Sequence, residues 1–126
     1  LCYIKLLEVV FMLHLFALAL AFHAVDLVSG FANAVKRHDV RSSKIRDGLF
    51  KKLGFVLCYC LCALLDMYGT DIGISLPFAM LPAAVGFGVL AECSSILENC
   101  VLLSPGLAKL KIFTFLHSVN DKEEKK

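Results

Sequence analysis

An all-α integral membrane fold is what this sequence predicts, with about three transmembrane helices, a short C-terminal interfacial helix and a charged tail. Three observations lead there. Of 126 residues, 59% are hydrophobic, against about 45–50% in an ordinary soluble domain. The mean hydropathy is +0.77. The charged residues, 19% of the chain, crowd into residues 36–52 and 109–126 and leave long stretches almost bare. A soluble helix interleaves charged and apolar residues so that one face is solvated, and a disordered chain combines low hydrophobicity with high net charge. Neither pattern is present, which argues against an ordinary soluble catalytic domain and against disorder. The length accommodates a single domain, 1–126.

A bilayer core about 30 Å thick takes roughly 20 apolar residues in helix. The first span is expected at about 9–35: residues 9–25 carry no Asp, Glu, Lys or Arg, and past Asp26 the apolar pattern continues to Val35. Lys5 ahead of an apolar run through Ala19-Leu20-Ala21 also has the outline of a cleaved signal peptide. Glu8 weakens that basic flank, however, and the apolar pattern runs on beyond the would-be cleavage site. The first residue is Leu1 rather than Met, which leaves open whether residues precede it. The second span, about 49–68, reaches the required length only if Lys51 and Lys52 snorkel to the interface. The third, about 72–91, is free of charge, and Pro77 and Pro82 near its start predict a kink or a late helix start.

Orientation follows from the basic residues. The loop 36–52 holds Lys36, Arg37, Arg41, Lys44, Arg46, Lys51 and Lys52 against Asp39 and Asp47. The loop around Asp66 and Asp71 has no basic residue, and the tail 104–126 holds Lys109, Lys111, Lys122, Lys125 and Lys126 against Asp121, Glu123 and Glu124. The positive-inside rule places the basic loop and the tail in the cytoplasm. Three spans then leave the N-terminus outside.

Few residues inside the spans look chemical. Cys58, Cys60 and Cys62 invite a metal or disulfide reading, but on a helix Cys60 points nearly opposite to the other two, so they do not converge on one ion. They are read as small apolar packing residues; Cys2, Cys93 and Cys100 are isolated. Asp26 is more informative, because a carboxylate at mid-bilayer costs about 2.5–3.5 kcal/mol on insertion scales. His23, Asp26, Gly30 and Asn33 follow at steps of three or four and form one stripe. That stripe reads either as interfacial placement near Lys36 or as a helix–helix contact and future water-lined wall. Ala84 and Gly88 form a small-residue row for close packing. Beyond them Glu92, Ser95 and Asn99 share a face that Glu98 extends, read as a helix bending onto the cytoplasmic interface or as simple capping of a span's end.

Catalytic, cofactor-binding and metal-binding constellations are absent: there is no glycine-rich phosphate loop, no G-x-S-x-G and no H-E-x-x-H. His14, His23, His38 and His117 are scattered over different segments. The basic loop lacks the aromatic interleaving of a nucleic-acid surface, so topology and contact with anionic lipid explain it more simply. No nucleic-acid partner and no cofactor are expected.

Four segments, in order, carry a resemblance. Asp26 to Gly30 gives D-x-x-x-G at a span end, residues 42–52 give S-S-K-x-x-x-G-x-x-K-K, Leu64-Leu65-Asp66 closes the second span, and residues 92–99 give E-x-x-S-I-L-E-N. Together they resemble the bacteriophage holins of the toxin-secretion and phage-lysis type, over about residues 25–107. The N-terminus departs from that pattern: one continuous apolar run stands where relatives often carry a second short segment ahead of a glycine-rich turn, which leaves the number of N-terminal passes open. The resemblance implies a non-enzymatic homo-oligomer in the bacterial cytoplasmic membrane that opens lesions for an endolysin or toxin, without need for direct contact with that enzyme. The competing readings are a passive anchor or accessory subunit of a membrane complex and, third, a small transporter; against the last stands the lack of internal repeats and midplane broken helices.

Overall fold

Within lipid every backbone polar group has to be satisfied inside its own segment, so apolar runs of spanning length fold as helices. The computed structural model describes residues 1–110 together with 115, 118 and 122. Three α-helices dominate it: α1 (Cys2–Lys36), α2 (Ser42–Tyr68) and α3 (Met80–Leu103). A 3₁₀ turn, Gly69–Ile72, follows α2, and another, Pro105–Lys109, follows α3. All three helices are long and apolar enough to cross a membrane. At about 1.5 Å per residue α1 is roughly 52 Å long, α2 roughly 40 Å and α3 roughly 36 Å. The first helix therefore overshoots the others, and its N-terminal turns stand clear of them, with Leu6, Leu7 and Phe11 exposed.

Two tight reversals join the helices. At the end of α1, His38 takes a left-handed conformation with φ 54°. The Asp39 N–H then donates back to Ala34 O (3.0 Å) and the His38 N–H to Val35 O (3.1 Å), which closes the open carbonyls of the last turn. Gly73, with φ 80°, does the same after α2, where the Ile74 N–H reaches Gly69 O at 2.8 Å. Glycine adopts that conformation without a Cβ penalty. With α2 running back between them, α1 and α3 lie parallel and share the most extensive contact, while α1 and α2 touch over the least.

The third helix starts at Met80, not at the expected Ile72. Pro77 lies in the connecting segment and Pro82 in the first turn of α3, where a missing N–H leaves no intrahelical bond unmade. The two prolines thus mark a late start rather than a kink. What fixes that start is a carboxylate from the second helix. Asp66 accepts the Met80 N–H on Oδ1 and the Leu81 N–H on Oδ2, both at 2.7 Å, and places a negative charge at the positive end of the α3 dipole. At the other end α3 does not bend after Ala91. It continues unbroken through residues 92–99 to Leu103 and is followed by the 3₁₀ turn Pro105–Lys109; most residues after Leu110 lie outside the described ones. Of the charged residues of the tail, Lys109 and Lys122 are among the described residues and the others are not.

The distribution of side chains is inverted relative to a soluble protein. Leu57, Leu61, Phe87 and Leu90 are 57–69% exposed, on surfaces that lipid tails match and water would not. Inside, the buried apolar residues are Ala19, Tyr59, Cys62, Leu81 and Val85, and beside them are buried His23, Asn33, Lys52 and Glu92.

Removing the clasp on α3 tests how much of this arrangement it holds. Losing a cap costs about 0.5–2 kcal/mol, and Asp66→Ala is expected at the upper end because two N–H groups lose a charged acceptor. The expected observation is a lower Tm in a circular dichroism melt of the protein in detergent micelles; an unchanged Tm would mean that Asp66 does not anchor α3.

Candidate functional site: a polar seam between three helices

Each helix presents one row of residues at alternating steps of three and four, the spacing that keeps a row facing its neighbours along a helical bundle. On α1 the row is Phe16, Ala19, His23, Asp26, Gly30 and Asn33. On α2 it is Lys52, Phe55, Tyr59, Cys62 and Asp66, and on α3 it is Leu81, Val85, Gly88, Glu92, Ser95 and Asn99. One end of the seam is apolar. Ala19, Tyr59, Cys62, Leu81 and Val85 form its buried cluster, with Phe16 and half-buried Ala84 packed against it. Tyr59 passes so close to α3 that a Cβ on Gly88 would overlap its hydroxyl and lie 3.0 Å from Cζ. Glycine at 88 is therefore a packing requirement, set by α2 rather than by another small-residue helix.

The middle of the seam is ionic. The Lys52 ammonium donates to Asp26 Oδ2 at 2.6 Å and to both oxygens of Glu92 at 3.0 and 2.9 Å. One cation from α2 thereby joins carboxylates on α1 and α3. Glu92 Oε1 also receives His23 Nδ1 at 2.8 Å; since a carboxylate only accepts, Nδ1 carries the proton. His23 Nε2 lies 3.3 Å from the Tyr59 hydroxyl, and the two rings stack with centroids 5.9 Å apart. With a neutral imidazole the cluster holds two carboxylates against one ammonium, and with an imidazolium the charges balance. The one oxygen left over is Asp26 Oδ1, buried with no hydrogen-bond partner among the described residues.

Towards the ends of α1 and α3 the seam becomes a network of amides and hydroxyls. The Asn33 amide donates to Asn99 O and Asn99 Oδ1, both at 3.1 Å. Asn99 Nδ2 donates to Ser29 Oγ at 3.0 Å, and Ser29 donates in turn to Asp26 O at 3.0 Å. Gly30 lies alongside, where a Cβ would come 3.7 Å from Asn99 Nδ2. Lys36 closes the seam by donating to Leu102 O at 2.9 Å and Leu103 O at 3.2 Å, a cation on the negative end of α3. So α3 is held by an anion at its start and a cation at its end, each supplied by another helix.

The two stripes picked out in the sequence, 23–33 and 92–99, face each other. Asp26 lies in a helix–helix contact, and half-buried Ser95 borders a crevice beside it. Glu98 is exposed and takes no part. Lys52 departs from expectation: it does not snorkel but is 8% exposed, because two carboxylates within 3 Å satisfy its charge better than a stretched stem would. Lys51, one residue earlier, is exposed, as are Arg37, Arg41, Lys44 and Arg46. In the α1–α2 turn Asp39 pairs with Arg41 at 2.7 Å and Lys44 at 3.3 Å, and Arg41 first, then Lys44, holds its carboxyl below the usual carboxylate range. These exposed pairs contribute little to stability. Tyr59, Phe55, Ser29 and the inward role of Lys52 were missed in the sequence; the row of 52, 55, 59, 62 and 66 was the signal that would have found most of them.

Removing one member of a buried ionic group costs about 3–5 kcal/mol, since it strands the others. Lys52→Met is accordingly expected to lower the Tm in micelles strongly. Combining it with Asp26→Asn and Glu92→Gln, which removes the stranded charges, is expected to recover much of the loss. A triple variant no more stable than Lys52→Met would show that the three groups are not coupled.

No curated protein matches the chain, and neither does any solved structure. The model of the bacteriophage holin family matches residues 7–115, which takes in all of α2 and α3, nearly all of α1 and every residue of the seam. A helical chain with three apolar spans, matched to that family over most of its length, belongs to the bacteriophage holin family.

Proposed function

We propose that this protein accumulates in the bacterial cytoplasmic membrane, oligomerises there and opens non-enzymatic lesions through which an endolysin or a toxin crosses. The observation that carries the reading is the seam itself. A membrane lesion needs a wall that tolerates water, yet the same chain has to reside in lipid beforehand. Here the polar residues of α1, α2 and α3 satisfy one another inside the monomer and leave an apolar outer surface. Parting the helices would turn the same residues towards water, which satisfies them equally well. Polar contacts between membrane helices are worth about 0.6 kcal/mol on average and at most about 1.7 kcal/mol in measured cycles, so such an exchange is within reach of lateral association between copies.

The weakest member of the seam supports a starting point. Asp26 Oδ1 has no hydrogen-bond partner among the described residues, and the carboxylate borders the crevice between α1 and α2, where helix contact is least. Separation of those two helices hydrates Asp26 first and Lys52 next. The basic loop and the tail are assigned to the cytoplasm and the N-terminus to the outside, on the positive-inside rule. Endolysin is a functional partner that follows the lesion, without a contact surface of its own on this chain.

Expression of the chain alone in bacteria is expected to collapse the membrane potential after a delay, and co-expressed endolysin then to lyse the culture. Asp26→Leu removes the group that hydrates first and strands Lys52 on Glu92 alone. It is expected to shift lysis time several-fold and to change the size of cross-linked oligomers. An intact membrane potential under wild-type expression would contradict lesion formation; unchanged timing and oligomer size in Asp26→Leu would contradict the role of the seam.

A further inference from the structure

The crevice between α1 and α2 has a second property that the seam does not use. It encloses about 620 Å³ and is open on one side. Its polarity is ordered along the helices. At the rim, where α1 ends and α2 begins, are Arg37, Arg41 and Lys44 against the single carboxylate of Asp39. One to three turns deeper the walls are apolar, formed by Leu27 and Phe31 from α1 and by Ile45 and Leu49 from α2. Gly48 borders this space opposite Leu27: a Cβ there would lie 4.0 Å from Leu27 Cδ2, so a larger side chain would extend into the slot.

Cationic groups at the mouth with an apolar slot beneath them match one kind of molecule found at that depth in a bilayer. We propose that the crevice seats one anionic phospholipid, its phosphate held at the rim and the upper part of an acyl chain lying along the Leu27–Leu49 walls. Asp39 already engages Arg41 and Lys44, whereas Arg37 has no carboxylate partner among the described residues. Arg37 therefore provides the first phosphate contact, its guanidinium suited to bidentate binding. The acidic floor is partly neutralised, because the Lys52 ammonium bonds Asp26 Oδ2 and both oxygens of Glu92. This goes beyond the attraction of any basic loop to an anionic surface: it names a bounded seat that requires the slot as well as the charge. Occupation would wedge the least-contacting pair of helices next to Asp26, so the lipid is placed to influence when the seam opens.

The test uses the full chain purified in dodecyl maltoside micelles, so its outcome is independent of whether the protein lyses cells. Titration with dioleoylphosphatidylglycerol is expected to raise Tm saturably, as a ligand of the folded state does. Dioleoylphosphatidylcholine at the same mole fraction and inorganic phosphate are both expected to give no saturable rise. Gly48→Leu fills the slot and leaves every charge in place, and it is expected to weaken the apparent affinity at least tenfold. The pair Arg37→Gln and Arg41→Gln, both exposed and so with little folding cost, is expected to do the same and decides the matter if Gly48→Leu does not fold. Equal responses to the two lipids, a response to phosphate alone, or wild-type affinity in either variant would overturn the proposal.

Discussion

Lys52 stands between Asp26 and Glu92, and the arrangement of the three helices depends on it. In lipid there is no hydrophobic force drawing one apolar helix to another, so association rests on close packing and on polar groups that have to find partners. A single ammonium that contacts a carboxylate on each of the other two helices fixes all three at once. Around that point the rest of the seam falls into register. His23 reaches Glu92, Tyr59 enters the notch at Gly88, and beyond the ionic cluster the Ser29, Asn33 and Asn99 side chains close their own network. Asp66 and Lys36 then hold the two ends of α3 electrostatically.

An ionic cluster of this kind confers specificity more than stability. Well-packed apolar residues in its place would often make an equally stable or more stable protein, and in lipid they would do so without a desolvation cost. What the polar seam offers instead is an alternative state of similar energy. Apolar residues have nothing to gain from water, so a purely apolar bundle has no reason to open. Carboxylates, an ammonium, an imidazole and two carboxamides lose little by exchanging one another for water.

Much of this was legible in the sequence, for reasons particular residues make plain. Spans and loops follow from the segregation of charge. The stripes at 23–33 and 92–99 were visible because polar residues at helical spacing inside an apolar run have few innocent explanations. That these stripes face each other was not visible, since one sequence records no contact between distant segments. Lys52 was misjudged because a lysine near a span's end ordinarily snorkels, and only the carboxylates on two other helices reverse that preference. The start of α3 was displaced by eight residues from the expected span, since the cap that defines it comes from Asp66, fourteen positions before the Met80 N–H it accepts. The continuation of α3 through residues 92–99 has the same origin. Those polar residues suggest an interface when read alone, and become interior once α1 supplies their partners.

The central claim is that one set of residues is buried in the resident protein and water-lined in the assembled lesion. Asn33 is the most direct place to measure it, being 2% exposed and in the amide part of the seam. In a chain whose six native cysteines are replaced, Asn33→Cys would be followed with a membrane-impermeant thiol reagent before and after the onset of lysis. The expected result is negligible labelling while the protein accumulates and rapid labelling once the membrane potential collapses. Labelling that is the same before and after collapse, whether low throughout or high throughout, would contradict an opening of the seam.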